Sequence, residues 1–357
     1  MKKVRVQELS GYPIAGEKIL RNVNSPKEKR KRMLFKIKTI FVALVCFSVM
    51  AGCGNKADQA VSNHKQNDSA SEKKLQVVTT FYPMYEFTKN IVKNKAHVDL
   101  LIPYNIEPHD WEPTPKDMGN IQSADVLVYN SPSMETWISS IKKSLDKSQP
   151  LFVEASEGIT LMEGTEGEEE DHDEGEHHDE DEHMLDPHVW LSPVLAQKEV
   201  QTITTALIKQ DPKNKTYYEK NSQEYIQQLK ELDEIYRKTL NDAHYKEIIT
   251  QHAAFGYLAK EYGLIQVPIA GLSPSEEPSP AKLGELKKFA KQHHIDVIFF
   301  EETTSPKIAQ TLARELGAET KVLNTIEGLS KKDQEKGLGY IEIMKENLTS
   351  LEKSITK

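Results

Sequence analysis

The chain has 357 residues, with 46 Lys and Arg against 55 Asp and Glu, a formal net charge of −9. This length accommodates two domains, and the acidic balance points away from nucleic acid as a partner. The only cysteines are Cys46 and Cys53, so a disulfide framework is not expected.

The N-terminus reads as a targeting signal. Basic residues at Lys27, Lys29, Arg30, Lys31, Arg32, Lys36 and Lys38 precede an apolar run over about 39–51. That run is short for a bilayer span and ends in small residues directly before Cys53. Met50-Ala51-Gly52-Cys53 looks like a lipobox, with Met50 where leucine is more usual, and Met33 offers a second start. Residues 1–52 are therefore expected to be an extension plus lipoprotein signal peptide, with Cys53 as the lipidated residue. Each buried acyl CH₂ contributes ~0.8 kcal/mol, so a diacylated cysteine anchors stably where one chain is marginal. Residues 53–74 are polar and read as a tether.

Beyond the tether, short β-branched runs alternate with helical patterns. Strands are predicted at 75–80, 98–103, 125–130 and 151–154, and helices at 83–94, 115–123 and 134–147. A second series predicts strands at 247–250, 265–270, 297–301 and 321–324, and helices at 253–262, 280–293, 306–316 and 332–354. Between the series, Tyr217, Tyr218, Tyr225, Ile226, Leu229, Leu232 and Ile235 fit one amphipathic helix over 211–240. The expected fold class is α/β. It has two lobes, each a mainly parallel sheet flanked by helices, joined by one long rigid helix. The N-terminal lobe is placed at 75–210, the linking helix at 211–242 and the C-terminal lobe at 243–357.

Three histidines stand where such lobes present ligands. His109 lies in Glu107-Pro108-His109-Asp110-Trp111-Glu112-Pro113-Thr114-Pro115, His188 in Asp186-Pro187-His188-Val189-Trp190, and His252 in Thr250-Gln251-His252-Ala253-Ala254-Phe255-Gly256. Ligands of doubly wound sheets bind beyond the carboxyl ends of the strands, which is where His109 and His252 fall. His188 arrives from the crossover after the first sheet. Glu327 follows the strand at 321–324, although Glu301 and Glu302 also end a strand in that lobe. Three imidazoles and one carboxylate form a donor set that favours Zn²⁺. Spacing alone leaves surface histidines as the alternative. Asp110, Glu112 and Asp186 are candidates to orient the imidazoles.

These motifs, together with Val77-Val78-Thr79-Thr80-Phe81-Tyr82-Pro83-Met84 and Leu323-Asn324-Thr325-Ile326-Glu327-Gly328-Leu329, closely resemble the zinc-binding lipoproteins of bacterial zinc ABC importers, the ZnuA/AdcA group of cluster A-I solute-binding proteins. The resemblance covers 75–357. It implies a two-lobed fold in which His109, His188 and His252 ligate Zn²⁺, with Glu327 or a water in fourth place. It further implies a monomeric receptor on the outer face of a Gram-positive membrane that hands Zn²⁺ to an ABC permease and its ATPase. Manganese carriers of similar fold use a glutamate where this chain has His252 and an aspartate where it has Glu327. Carboxylate oxygens suit Mn²⁺, whereas imidazole shifts preference to Zn²⁺.

Residues 163–183 form an acidic, histidine-rich insertion without a basic residue. His172, His177, His178 and His183 are expected to assemble weak metal sites there. Ordering such a segment costs roughly 1–2 kcal/mol per residue, so these sites should be weaker than the cleft. Two rival readings are a secreted zinc hydrolase and an adhesin. The chain has no His-Glu-x-x-His helix, and four protein ligands leave no open position for an activated water. No feature points to a host ligand.

Overall fold

Two four-stranded parallel sheets frame the computed structural model, which describes residues 73–145, 150–164, 184–241 and 243–355. The first contains β1 (Leu75–Thr79), β2 (Ala96–Leu100), β3 (Val126–Tyr129) and β4 (Leu151–Glu154), in the order β2-β1-β3-β4. The second contains β5 (Glu247–Thr250), β6 (Ile265–Pro268), β7 (Val297–Phe300) and β8 (Glu319–Val322), in the same relative order, β6-β5-β7-β8. The described residues belong to one compact unit. No helix among the described residues is long and apolar enough to cross a membrane. Cys53, His172, His177, His178 and His183 lie outside the described residues.

The central strands β1, β3, β5 and β7 carry buried apolar residues on both faces because both faces of each sheet are covered. Val77, Val126 and Val128 enter the central core, whereas their neighbours Val78 and Leu127 enter an outer core. Side chains of successive strand residues point to opposite faces, so this split follows from the period of two. The second sheet divides likewise, with Ile248 in the central core and Ile249 in an outer one.

Helices α1 (Tyr82–Val92), α2 (Pro115–Ser123) and α3 (Ile138–Ser144) connect the first four strands in sequence. The start of α2 is fixed by a capping box. Thr114 Oγ1 accepts the Asp117 N–H at 3.4 Å, and Asp117 Oδ2 accepts the Thr114 N–H at 3.0 Å. The predicted helix at 134–147 is shorter in the structure. Its first residues form a turn in which the Glu135 carboxylate accepts the N–H groups of Asn130 and Ser131, each at 3.0 Å.

A helix missing from the sequence-based expectation, α4 (Pro193–Gln210), follows the His188 segment. Its signals were present. Ser192 caps it by accepting the Leu195 N–H at 3.3 Å, and Pro193 occupies the first turn. Buried Pro193, Ala196, Val200, Ile203 and Leu207 trace one helical stripe. A short 3₁₀ turn over Pro212–Asn214 then separates α4 from α5 (Lys215–Leu240), so the linking helix begins four residues later than expected. At 26 residues, α5 is about 39 Å long. Its first half binds the first lobe, where Asn221 Nδ2 donates to Ile91 O at 2.8 Å. Its second half binds the second lobe, where Tyr262 donates to Asp233 Oδ1 at 3.0 Å. The buried stripe continues through Tyr236 rather than Ile235, which is exposed.

The second lobe adds α6 (Gly256–Tyr262), α7 (Pro280–Gln292), α8 (Lys307–Leu316), α9 (Lys331–Lys336) and α10 (Tyr340–Ile355). The expected single helix at 332–354 is two helices. Gly337 ends α9 in the left-handed region, φ 66°, which a glycine adopts without a Cβ penalty. The expected strands at 98–103 and 321–324 each lie two residues earlier. Pairing registers Leu75 with Ala96 and Val297 with Glu319. The apolar residues Ile102 and Leu323 are buried in loops just past the strand ends.

Candidate metal centre

Loops beyond strand ends deliver all four candidate ligands to one place. His109 follows β2, His188 lies far past β4, His252 stands two residues past Thr250, and Glu327 follows β8. Each loop is fixed locally. Glu107 Oε1 accepts the His109 N–H at 3.2 Å. Asn130 Nδ2 donates to Pro187 O at 2.8 Å, which sets the peptide before His188. The Trp190 indole donates to Thr325 O at 2.8 Å, tying the His188 segment to the loop that carries Glu327. Thr250 Oγ1 and Gln266 Nε2 both donate to His252 O, at 2.8 and 2.9 Å.

The loop bearing Glu327 is strained. Ile326 is a buried β-branched residue at φ 60°, a conformation such residues rarely adopt. The Asn324 side chain accepts the Ile326 N–H at 2.7 Å, and Asn347 clamps the Asn324 backbone N–H and C=O, both at 2.7 Å. Next to it, Gly328 lets the first lobe approach: a Cβ there would stand 2.1 Å from Tyr104 O. The Leu329 N–H reaches that same carbonyl at 3.1 Å.

The ligand atoms of His109, His188, His252 and Glu327 all lie within 4.8 Å of one another, the only such group among the described residues. His188 Nε2 is 3.2 Å from His109 Nε2 and 3.3 Å from His252 Nε2. Glu327 Oε1 is 3.6, 3.4 and 3.6 Å from the Nε2 atoms of His109, His188 and His252. A tetrahedron with metal–ligand bonds of about 2.0–2.1 Å has edges of about 3.3–3.4 Å. The measured edges bracket that value. Both Glu327 oxygens are buried without a hydrogen-bond partner, and such an orphaned carboxylate is costly unless a cation faces it. The His188 and His252 side chains are fully buried, while that of His109 retains 9% exposure.

Carboxylates hold two of the imidazoles from behind. Asp186 Oδ1 accepts from His188 Nδ1 at 2.8 Å and also from the His188 backbone N–H at 2.9 Å. Glu301 Oε1 stands 2.6 Å from His252 Nδ1. With Nδ1 donating to a carboxylate, Nε2 presents its lone pair to the centre, which is the arrangement a metal requires. Asp186 thus takes the orienting position expected of it. Asp110 and Glu112 are exposed and bond to none of the imidazoles. Of the two carboxylates that competed with Glu327, Glu301 backs His252, and Glu302 lies 3.6 Å from Lys332 Nζ.

Protonation follows from this geometry. Burial opposes charge on His188, but contacts with Asp186 and Glu327 outweigh it and hold the imidazole above its ordinary value. His252 is likewise held well above, with Glu301 and Glu327 overcoming burial. Burial lowers His109. Burial would raise Glu327, yet its contacts with the three histidines hold it well below the usual carboxylate range. Glu107 is pushed up to about 8, first by burial and then by the charge of Glu327. Two imidazoles held toward their protonated form thus face the buried carboxylates.

The sequence family described as “ZnuA: Zinc-uptake complex component A periplasmic” matches residues 77–354. The chain is 61% identical over 323 residues to the high-affinity zinc uptake system protein ZnuA of Bacillus subtilis (strain 168), covering 90% of this chain and 99% of that protein. It is 44% identical over 316 residues to the zinc-binding lipoprotein AdcA of Streptococcus pneumoniae (strain ATCC BAA-255 / R6), covering 88% of this chain and 60% of AdcA. The chain therefore spans about three fifths of that longer lipoprotein. Among solved structures, the Zn(II)-bound ZnuA-like domain of Streptococcus pneumoniae AdcA superposes with a TM-score of 0.69 at 42% identity, covering 80% of this chain and 100% of that one.

Proposed function

Because this chain belongs to the ZnuA family of zinc-uptake components, we propose that it is an extracellular receptor that captures Zn²⁺ between its two lobes for import. The observation that carries this reading is the convergence of three imidazole nitrogens and one carboxylate oxygen within 4.8 Å, with five of the six separations at 3.2–3.6 Å. His109, His188, His252 and Glu327 are its metal ligands. The donor set is rich in nitrogen and closed to further ligands, which favours Zn²⁺ over the harder Mn²⁺ and leaves no seat for an activated water. Zn²⁺ is cargo here, received by an ABC permease and its ATPase. Cys53 carries the lipid that keeps the receptor at the outer face of the membrane, and 53–74 is its tether. His172, His177, His178 and His183 bind Zn²⁺ weakly.

Competitive titration of the full chain with Zn²⁺ and Mn²⁺ against a chelator tests the reading. One tight site that retains Zn²⁺ in a large excess of Mn²⁺ is expected. Equal affinity for the two ions would sink it.

A further inference from the structure

The segment that delivers His188 is anchored through the opposite lobe. It enters through an antiparallel bridge between Glu163 and Leu185, where the Asp186 N–H donates to Met162 O at 2.8 Å. One second-lobe side chain spans both strands of this bridge. The buried Tyr257 hydroxyl, on α6, accepts the Met162 N–H at 2.8 Å and donates to Asp186 O at 2.7 Å. The preceding residue, Gly256, leaves room for the same aspartate, since a Cβ there would stand 2.9 Å from Asp186 Oδ2. The other carboxylate oxygen of Asp186 holds His188 Nδ1. Tyr257 also lies five residues past His252, whose loop leads directly into α6.

We propose that Tyr257 is a positioning residue for metal capture: its hydroxyl holds Asp186, and through it the ring of His188, in register with the lobe that supplies His252. Tyr257 never touches the ion. It acts through the acceptor that fixes the imidazole tautomer, and partners of that kind set ligand direction as well as basicity. This role rests on the zinc site proposed above. It adds a contact made before the ion arrives, linking the His188 segment to the helix that follows His252.

A double-mutant cycle on the full chain, read by chelator competition for Zn²⁺, separates positioning from general stabilisation. Tyr257→Phe is expected to weaken Zn²⁺ binding about tenfold, at the low end for outer partners of metal ligands. The same tenfold loss should persist in a His109→Ala background and vanish in a His188→Ala background, where the ring being positioned is gone. An undiminished effect in the His188→Ala background overturns the proposal, as does Tyr257→Phe binding Zn²⁺ like the wild type. Should Tyr257→Phe fail to fold, Gly256→Ala, which presses on Asp186 Oδ2, enters the same cycle with the same expected pattern. A wild-type chain that binds no Zn²⁺ would instead bring down the site itself, and this role with it.

Discussion

The two sheets share a strand order but use its central position differently. In the second lobe, the carboxyl ends of the adjacent strands β5 and β7 lead to His252 and Glu301, so a proposed ligand and the carboxylate that holds its ring sit at the switch point of the sheet. In the first lobe, the ends of β1 and β3 lead to Thr80, Asn130 and Ser131, which converge on Glu135 and hold backbone instead. From there Asn130 reaches Pro187 and steadies the His188 segment. The second lobe thus offers short, stiff ligand seats. The first lobe offers longer loops, and His109, with no carboxylate behind its ring among the described residues, keeps some exposure.

The largest test of this contrast is removal of single ligands. His252→Ala strips the imidazole from two buried carboxylates, Glu301 and Glu327. Uncompensated buried charge costs about 3–5 kcal/mol of stability in the ion-free chain, and losing a ligand is expected to weaken Zn²⁺ binding by more than the ~10–100-fold of an outer partner. His109→Ala is expected to cost less affinity than His252→Ala. Chelator competition orders the two, and equal losses would break the comparison.

The pH dependence comes next. His188 and His252 are held above the ordinary imidazole value, so Zn²⁺ must displace their protons. Affinity should rise about tenfold per pH unit for each proton displaced, and go on rising above the ordinary value of ~6.5. In the ion-free chain the sign reverses. Raised imidazoles contribute stability that is full below the unfolded value and lost as pH rises through the folded one. Thermal unfolding of the ion-free chain should therefore move to lower temperature across that window. A Zn²⁺ affinity that stays flat from pH 5.5 to 8.5 would sink the histidine site.

The smallest effect sharpens the contrast within the site. Glu301→Gln and Asp186→Asn should each weaken Zn²⁺ by ~10–100-fold, because each loosens an imidazole from behind. Glu107→Gln, which touches only the His109 backbone N–H, should change affinity less. Zn²⁺ titrations of the three variants decide this, and a Glu107→Gln loss matching the other two would erase the distinction.

Much of this architecture was legible in the sequence. Alternating strands and helices announced two parallel sheets, and α2 was readable to the residue, opening at Thr114-Pro115. What escaped was local conformation, some of it imposed from a distance. The turn at Ser131–Trp137 is organised by Glu135, which is also held from Thr80 just past the neighbouring strand β1, whereas the break at Gly337 is a local left-handed cap. Helix α4 was overlooked despite its Ser192-Pro193 start. Glu301 read as a rival ligand because proximity to a strand end says nothing of which imidazole nitrogen it will face.

Periodicity by itself determined that this chain builds an α/β pair of lobes, and the three histidine motifs supplied candidate nitrogen donors, because period and donor chemistry are properties of residues in order. The joint role of those donors only the family resemblance implied. Tertiary structure alone decided that four atoms from four loops meet within 4.8 Å of one another. It also decided which carboxylate faces the ion and which faces the back of a ring. Those are distances across the fold, set by how the two sheets pack around a shared core rather than by any neighbour in the chain.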